Sequence, residues 1–290
     1  MIPTLLAIAV PLTNFVLQLA VGMDITADDF ARVARNRALV VAGLLAPAVI
    51  LPPVAIALIL ILDPPAAVAG GLLLIAACPI GGISNAYSLL AGASSALSVT
   101  LTGLSCLLAS VSVPLISKGL ELVFDRPMGF VAPLPLLAMQ LTLMLMLPIV
   151  VGMLLRRWVP EFAASHRGLL QRFAAIAIAA VLILVMAGDL SRFVASLRVM
   201  VPLAGLFVAA SLAAGWLTAM PFSTDPRDRF TVAAEFGTRN IAVAVTIAVT
   251  LLGREEFAQF AAAYALVEVP MLLVAVLAFR RRNLAAAPAL

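Results

Sequence analysis

The sequence is dominated by long apolar segments, and this feature limits the chain to very few architectures. A bilayer core about 30 Å thick is crossed by a helix of about 17–25 apolar residues. Charged residues make up only 11% of the chain, against about 25% in soluble domains. The pattern predicts an all-α polytopic membrane protein with about nine transmembrane helices. We place them near residues 2–23, 38–61, 66–90, 96–116, 131–155, 173–188, 199–220, 230–252 and 257–279.

The third segment is interrupted at residues 77–85. Pro79 lacks an amide donor and Gly81-Gly82 weaken a helix, so continuous helix is not expected there. Open backbone at bilayer depth is tolerated only where protein or a water-filled cavity covers it. The polar pair Ser84-Asn85 follows at once. The interruption indicates a buried ion or substrate site, and a proline kink stabilised by neighbouring helices is the alternative.

A second interruption lies in the eighth segment, at residues 234–240, with Gly237 in mid-span and polar residues on both sides. The two interruptions end in Asn85 and Asn240, five segments apart. An odd offset places them in opposite orientations in the bilayer, which is the pattern of an inverted repeat whose broken helices meet at the midplane.

This pattern divides the chain into two repeats within one integrated membrane domain. Residues 1–127 form the first repeat, with four helices, no leading helix and a broken helix near 78–85. Residues 128–290 form the second, with five helices and a broken helix near 234–240. Partial charges at the ends of the broken helices would serve an anion or a small cation.

Three ionisable residues lie at membrane depth, namely Glu235, Arg239 and Glu268. A charge at the centre of a membrane helix costs about 2.5–3.5 kcal/mol and must be offset by a partner, an ion or water. These residues are therefore functional candidates. The structural alternative is an internal salt bridge, with Arg239 neutralising Glu235 or Glu268.

The basic residues predict the topology. With the N-terminus outside, the inner connections carry twelve arginines, four of them in the connection at residues 156–172, and the outer connections carry five basic residues. This bias places the C-terminus in the cytoplasm of a cell membrane, and a bacterial inner membrane fits best. The net charge of +4 therefore reflects topology and does not indicate nucleic acid binding. Cys78 and Cys106 have no spaced histidine or cysteine partner, so no metal cofactor is expected.

The two interruptions resemble those of the bile acid:sodium symporter family. The family's first break reads roughly Cys-Pro-Gly-Gly-Thr-Ala-Ser-Asn, and residues 78–85 read Cys-Pro-Ile-Gly-Gly-Ile-Ser-Asn. A stretch like Ala-Leu-Ser-Val-x-x-Thr follows in the family and appears here at residues 96–102. The second break starts Glu-x-Gly and ends Gln-Asn in the family, whereas here residues 235–237 are followed by Arg239 and Asn240.

The resemblance implies a core of segments two to four and seven to nine, and a panel of segments one, five and six that moves against it. It also implies uptake of an organic anion coupled to Na⁺, with no other cofactor. One carboxylate among neutral hydroxyl and amide oxygens suits a hard monovalent cation. The positions of the family's first sodium site are occupied here by Ser84, Asn85, Ser98, Thr102 and Glu235.

The positions of the family's second sodium site differ in this chain. Two glutamines of the family correspond here to Arg239 and Pro47. Proline has no side-chain oxygen, and a guanidinium repels a cation at short range. One sodium is therefore expected, with Arg239 as a built-in cation that holds Glu235 ionised, pairs with Glu268 or binds a substrate carboxylate or sulfonate.

The expected substrate is an organic anion or an amphipathic small metabolite. A threonine near the ligand in the family corresponds here to Gly82, which makes that side of the pocket less polar. The residues expected to bind substrate or to couple it are Arg239, Asn240, Glu268, Gly82 and Thr238.

Two other function classes are compatible with the sequence. A proton-coupled or sodium-independent carrier or exporter could use the same scaffold, with Glu268 as the titrating group. An intramembrane enzyme could use Glu235 as an acid or base, but no nucleophile with an adjacent base and no metal set accompanies it. No catalytic residue is therefore assigned, and the expected partners are a small molecule, Na⁺ and the lipid bilayer.

Overall fold

The computed structural model describes residues 2–25, 36–124 and 139–286, and all regular elements in these ranges are helices. Short π-helical turns occupy Thr142–Met146 and Ile247–Leu251. The α-helices are α1 (Ile2–Asp24), α2 (Arg37–Leu62), α3 (Ala66–Ala77), α4 (Ser84–Ala91), α5 (Ser95–Phe124), α6 (Leu147–Trp158), α7 (Pro160–Gly188), α8 (Leu190–Ala219), α9 (Pro226–Gly237), α10 (Ile241–Thr246) and α11 (Glu255–Ala286).

Six helices in the described ranges are long and apolar enough to cross a membrane. The all-helical membrane class is therefore confirmed. The count of about nine segments, the inverted repeat and its boundary at residues 127 and 128 stay predictions. The six helices are Arg37–Leu62, Ser95–Ile116, Met139–Trp158, Pro160–Gly188, Leu190–Ala219 and Glu255–Arg282.

Both interruptions appear where they were predicted. Helix α3 ends at Ala77 and α4 begins at Ser84, with Cys78 extended at φ −64° and ψ 153° because a residue before proline avoids the helical region. Helix α9 ends at Gly237, and Thr238 is extended at φ −109° and ψ 108°. The chain then starts α10, whose first turn is capped by the Asn240 side chain.

The backbones of the two breaks pair directly with each other. The Gly81 amide donates to the Thr238 carbonyl at 3.1 Å, and the Asn240 amide donates to the Pro79 carbonyl at 2.8 Å. Ile80, between these bonds, donates its amide to the Ser105 hydroxyl of α5 at 2.9 Å. Each break therefore satisfies backbone groups that the bilayer could not hydrate.

The remaining helices pack in two groups around this contact. Helix α1 packs mainly against α6 and α7, and α6 also packs against α7. Helix α8 packs against α9, α11 and α2, and α11 packs against α3. The first group consists of the segments assigned to the panel, and the second consists of segments assigned to the core.

We expected residues 156–172 to form a loop between two membrane helices, and this prediction is wrong because nearly all of them are helical. Helix α7 begins at Pro160, and the only break between it and α6 is at Val159, with φ −134° and ψ 63°. Proline is accepted in the first turn of a helix because its missing amide would have no partner there. The polar residues of this stretch then continue the helix, most of them exposed.

Replacing Gly81 with alanine should destabilise the protein. A Cβ at this position would lie 2.7 Å from the Arg239 carbonyl oxygen, so the paired breaks would have to separate. Overpacking of this kind costs about 1–3 kcal/mol. Thermal unfolding in detergent would measure the effect. Gly82→Ala is the matched control, since the nearest atom to its Cβ is 3.7 Å away on Val21; equal unfolding temperatures for the two variants would contradict the close approach.

Candidate functional site

Glu235 lies at the centre of a buried group of oxygen atoms beside the two breaks. The Thr102 hydroxyl donates to Glu235 Oε2 at 2.9 Å, and the Ser98 hydroxyl donates to Oε1. The Ser98 hydroxyl also lies 2.8 Å from Asn85 Oδ1, and the Ser84 and Thr102 hydroxyl oxygens are 3.1 Å apart. The structure thus brings together all five residues expected at the first sodium site, which we call the Glu235 cluster.

Local structure explains how five residues distant in sequence meet. Ser84 and Asn85 begin α4, directly after the first break, where the chain has turned back into a helix. Ser98 and Thr102 are four residues apart on α5 and therefore lie on one face of that helix. Glu235 stands in the last turn of α9, before the second break.

The Glu235 cluster has fewer hydroxyl protons than oxygen–oxygen contacts of hydrogen-bond length. Each of its three hydroxyls can donate once. Ser98 nevertheless contacts both Asn85 Oδ1 and Glu235 Oε1, and Thr102 contacts Asn85 Oδ1 at 3.4 Å, Glu235 Oε2 and the Ser84 hydroxyl. Five contacts thus share three hydroxyl protons. Oxygen groups that outnumber their protons suit a hard cation, which accepts any orientation of their lone pairs.

Arg239 is buried, with 4% of its surface exposed. It forms neither of the ion pairs considered for it above. Its Nη2 donates to the Cys78 carbonyl, and its Nε and Nη1 have no hydrogen-bond partner among the described residues. The ion pairs found in the described ranges, Arg167 with Asp24 and Arg254 with Glu256, do not include it. The salt bridge given above as the structural alternative, from Arg239 to Glu235 or Glu268, is not formed. The guanidinium instead binds the Cys78 carbonyl at the first break.

Arg239 and Pro47 line the same small cavity, of about 40 Å³. The cavity lies between α2, the first break and α5, and Ser105 and Ser112 supply hydroxyls to its lining. The two positions matched to the family's second sodium site therefore face one space. That space is bordered by a cation and by a proline ring, so its chemistry suits an anionic group rather than Na⁺.

The other predicted substrate residues lie around the paired breaks. Asn240 Oδ1 accepts from the Val243 amide at 3.1 Å, and its Nδ2 lies 3.9 Å from the sulfur of Cys106. Thr238 is fully buried and its hydroxyl has no partner among the described residues. Gly82 faces Val21 of α1.

Glu268 is separate from the Glu235 cluster. It lies within α11 with none of its surface exposed. The hydroxyls of Tyr87 and Thr238 face its carboxyl group. Neither carboxyl oxygen has a hydrogen-bond partner among the residues described.

Two buried amides of α1, Asn14 and Gln18, are not among the residues predicted from the sequence. Asn14 donates to the Met144 carbonyl at 3.1 Å in the first π-helical turn. Gln18 is fully buried, faces the Cys106 thiol and has no partner for its Nε2 or Oε1 in the described ranges. The available signal was a pair of amides four residues apart in an otherwise apolar segment, since that spacing puts both on one helix face.

Comparison with known proteins identifies the family of the chain. The profile of the Sodium Bile acid symporter family matches residues 11–196, a range that includes the first break and four members of the Glu235 cluster. The chain is 29% identical over 233 residues to the "Uncharacterized sodium-dependent transporter YocS" of Bacillus subtilis, covering 80% of this chain and 71% of the relative. It is 33% identical over 148 residues to the "Probable sodium/metabolite cotransporter BASS2, chloroplastic" of Oryza sativa subsp. japonica, covering 50% of this chain and 34% of that protein. The chain belongs to the sodium bile acid symporter family.

Proposed function

We propose that the protein is a secondary active transporter that couples Na⁺ to the movement of an organic anion or an amphipathic small metabolite. The observation that carries the proposal is the Glu235 cluster, in which one carboxylate meets an amide oxygen and three hydroxyls where two broken helices pair. A member of a transporter family needs such a site at membrane depth, where an ion is cut off from water.

The Glu235 cluster is the proposed sodium site. Its single negative charge, carried by the Glu235 carboxylate, compensates the positive charge of one Na⁺ without excess. Hydroxyl and amide oxygens from α4 and α5 complete the ligand set beside the carboxylate of α9. Because α4 begins and α9 ends at the paired breaks, a movement of the joined breaks past the surrounding helices would also open the ion site. Binding and conformational change are coupled in this way.

Arg239 is proposed to replace a second sodium. It supplies one permanent positive charge beside the cavity that it shares with Pro47, so the transporter would bind a single Na⁺ per cycle. Its Nε and Nη1 remain able to donate, and a guanidinium binds carboxylates and sulfonates through paired hydrogen bonds. We therefore infer that the acidic group of the substrate approaches Arg239 from this cavity once the helices around it move.

Alternating access would follow from movement between the two packing groups of helices. Helices α1, α6 and α7 form the proposed panel. Gln18 of α1 faces Cys106 of α5, a helix that corresponds to a segment assigned to the core. Its unpaired amide would contact substrate between the groups. The proposed orientation has the N-terminus outside, the C-terminus in the cytoplasm and the protein in a bacterial inner membrane.

A proton-coupled or sodium-independent carrier is the second candidate, and Glu268 is the observation that favours it. A fully buried carboxyl group without a cation is a common proton-carrying group in transporters. Proton coupling in place of Na⁺ would leave the crowded oxygens of the Glu235 cluster without a purpose, so sodium coupling is the leading proposal.

Sodium should stabilise the purified protein through Glu235. A ligand that binds only the folded state at 100 times its Kd adds about 2.7 kcal/mol. We expect a higher unfolding temperature in sodium chloride than in potassium chloride at equal ionic strength. Glu235→Gln should remove this difference, because the variant lacks the charge that compensates Na⁺.

Glu255→Gln is the matched control, since it makes the same change at an exposed glutamate of α11. It should respond to sodium as the unchanged protein does. A protein that unfolds at the same temperature in both salts would rule out the sodium site.

Arg239 should weaken sodium binding by charge repulsion without contacting the ion. Arg239→Gln should therefore lower the half-saturating sodium concentration several-fold, while Arg239→Lys, which keeps the charge, should stay near the original value. Sodium titrations monitored by thermal unfolding would give both values and the Hill slope. A slope near one is expected; a slope clearly above one, or identical titrations for the two variants, would argue against Arg239 as the replacement for a second sodium.

A further inference from the structure

Glu268 has a buried carboxyl group and is not part of the proposed sodium site. None of its surface is exposed, and both carboxyl oxygens lack a hydrogen-bond partner among the described residues. Glu235, which is equally buried, receives hydroxyl hydrogen bonds on both oxygens. Of the two acidic side chains, only Glu235 has a hydrogen bond on each of its carboxyl oxygens.

The residues around Glu268 do not supply a positive charge. Tyr87 of α4 and Thr238 of the second break face its carboxyl group, and their hydroxyls are also unpaired in the described part of the chain. Tyr264, one turn earlier on α11, donates its hydroxyl to the Gly237 carbonyl at 2.6 Å and is not free to donate to Glu268. Arg239 binds the Cys78 carbonyl and forms no ion pair with Glu268.

A carboxylate in such a place is unstable. An ionised group without a paired charge or hydrogen bonds costs several kcal/mol or more to bury, and in practice it takes up a proton. Sodium is the other way to neutralise it. Glu235 has four oxygen-bearing side chains around it in the cluster, whereas two hydroxyls face Glu268. These surroundings favour a proton, which needs one oxygen and can then be shared with a neighbouring hydroxyl.

We propose that Glu268 is a proton-binding site, separate from the sodium site at Glu235. The proton comes from water, forms an O–H bond with one carboxyl oxygen, and returns to water when that bond breaks. The neutral acid donates to a facing hydroxyl oxygen, that of Tyr87 or Thr238. The site therefore takes a second monovalent cation close to the paired breaks, in a position that Arg239 does not occupy.

The charges beside the paired breaks agree with a neutral Glu268. This argument rests on the proposed function. Glu235 offsets the bound Na⁺ and Arg239 offsets the anionic substrate, so the loaded site is neutral only if Glu268 carries its proton. With Glu268 ionised, one negative charge would remain inside the bilayer, at a cost of several kcal/mol. Protonation of Glu268 would thus allow an anion to bind near an acidic residue.

Infrared spectroscopy of the purified protein tests the proton directly, because a protonated carboxyl group has a C=O stretching band that a carboxylate lacks. At neutral pH in sodium chloride we expect one such band from the membrane interior. Glu268→Gln should remove it, and Glu235→Gln should keep it. Replacing sodium by potassium should leave the wild-type band unchanged. Persistence of the band in Glu268→Gln, or its loss on adding sodium to the wild-type protein, would overturn the proposal.

Two further variants protect the test if Glu268→Gln does not fold. Tyr87→Phe and Thr238→Val each keep the carboxyl group and remove one of the two hydroxyls that face it, so the band should remain in both and shift in frequency in at least one. A band with the wild-type frequency in both variants would mean that it comes from another carboxyl group and would overturn the assignment. Sodium-dependent thermal stabilisation, measured on the same samples, reports separately on the proposed function, since it requires Glu235 and not Glu268.

Discussion

The backbone pairing between the two breaks is the interaction on which the other features depend. Gly81 donates to Thr238 and Asn240 donates to Pro79, so two segments that have lost their helical hydrogen bonds satisfy each other. This pairing holds the start of α4 beside the end of α9, and the Glu235 cluster forms between these two helix ends and α5. Without the pairing, the polar groups of each break would be exposed to lipid.

Three ionisable side chains lie near the paired breaks, and each has different surroundings. Glu235 is surrounded by hydroxyls, Arg239 is anchored on a backbone carbonyl, and Glu268 is left without a hydrogen bond in the described part of the chain. The same three residue types could have formed a closed salt-bridge network with no room for an ion. Their separation leaves one carboxylate able to accept a cation and one guanidinium able to accept an anion, as a symporter requires.

The sequence was sufficient for the breaks and for the composition of the Glu235 cluster. Pro79 and Gly237 act locally, and the motif around Ser84 and Ser98 carries a strong family resemblance. The position of Arg239 was not predictable, because it depends on the Cys78 carbonyl, which is freed only by the three-dimensional course of the break. The extension of α7 to Pro160 could not be predicted from charge, because a polar sequence can form a loop or continue a helix into water.

The absence of a side chain at Gly81 has a mechanical consequence. With the backbones of the breaks in direct contact and no side chain between them to slide or rotate, small relative shifts would break hydrogen bonds that lipid cannot replace. The contact therefore resists shear. Under the proposed sodium coupling, the ion would be exposed to either face of the membrane by carrying the joined breaks as a rigid unit past the surrounding helices. Glycine at this position would thus determine which part of the protein travels and which part stays in place.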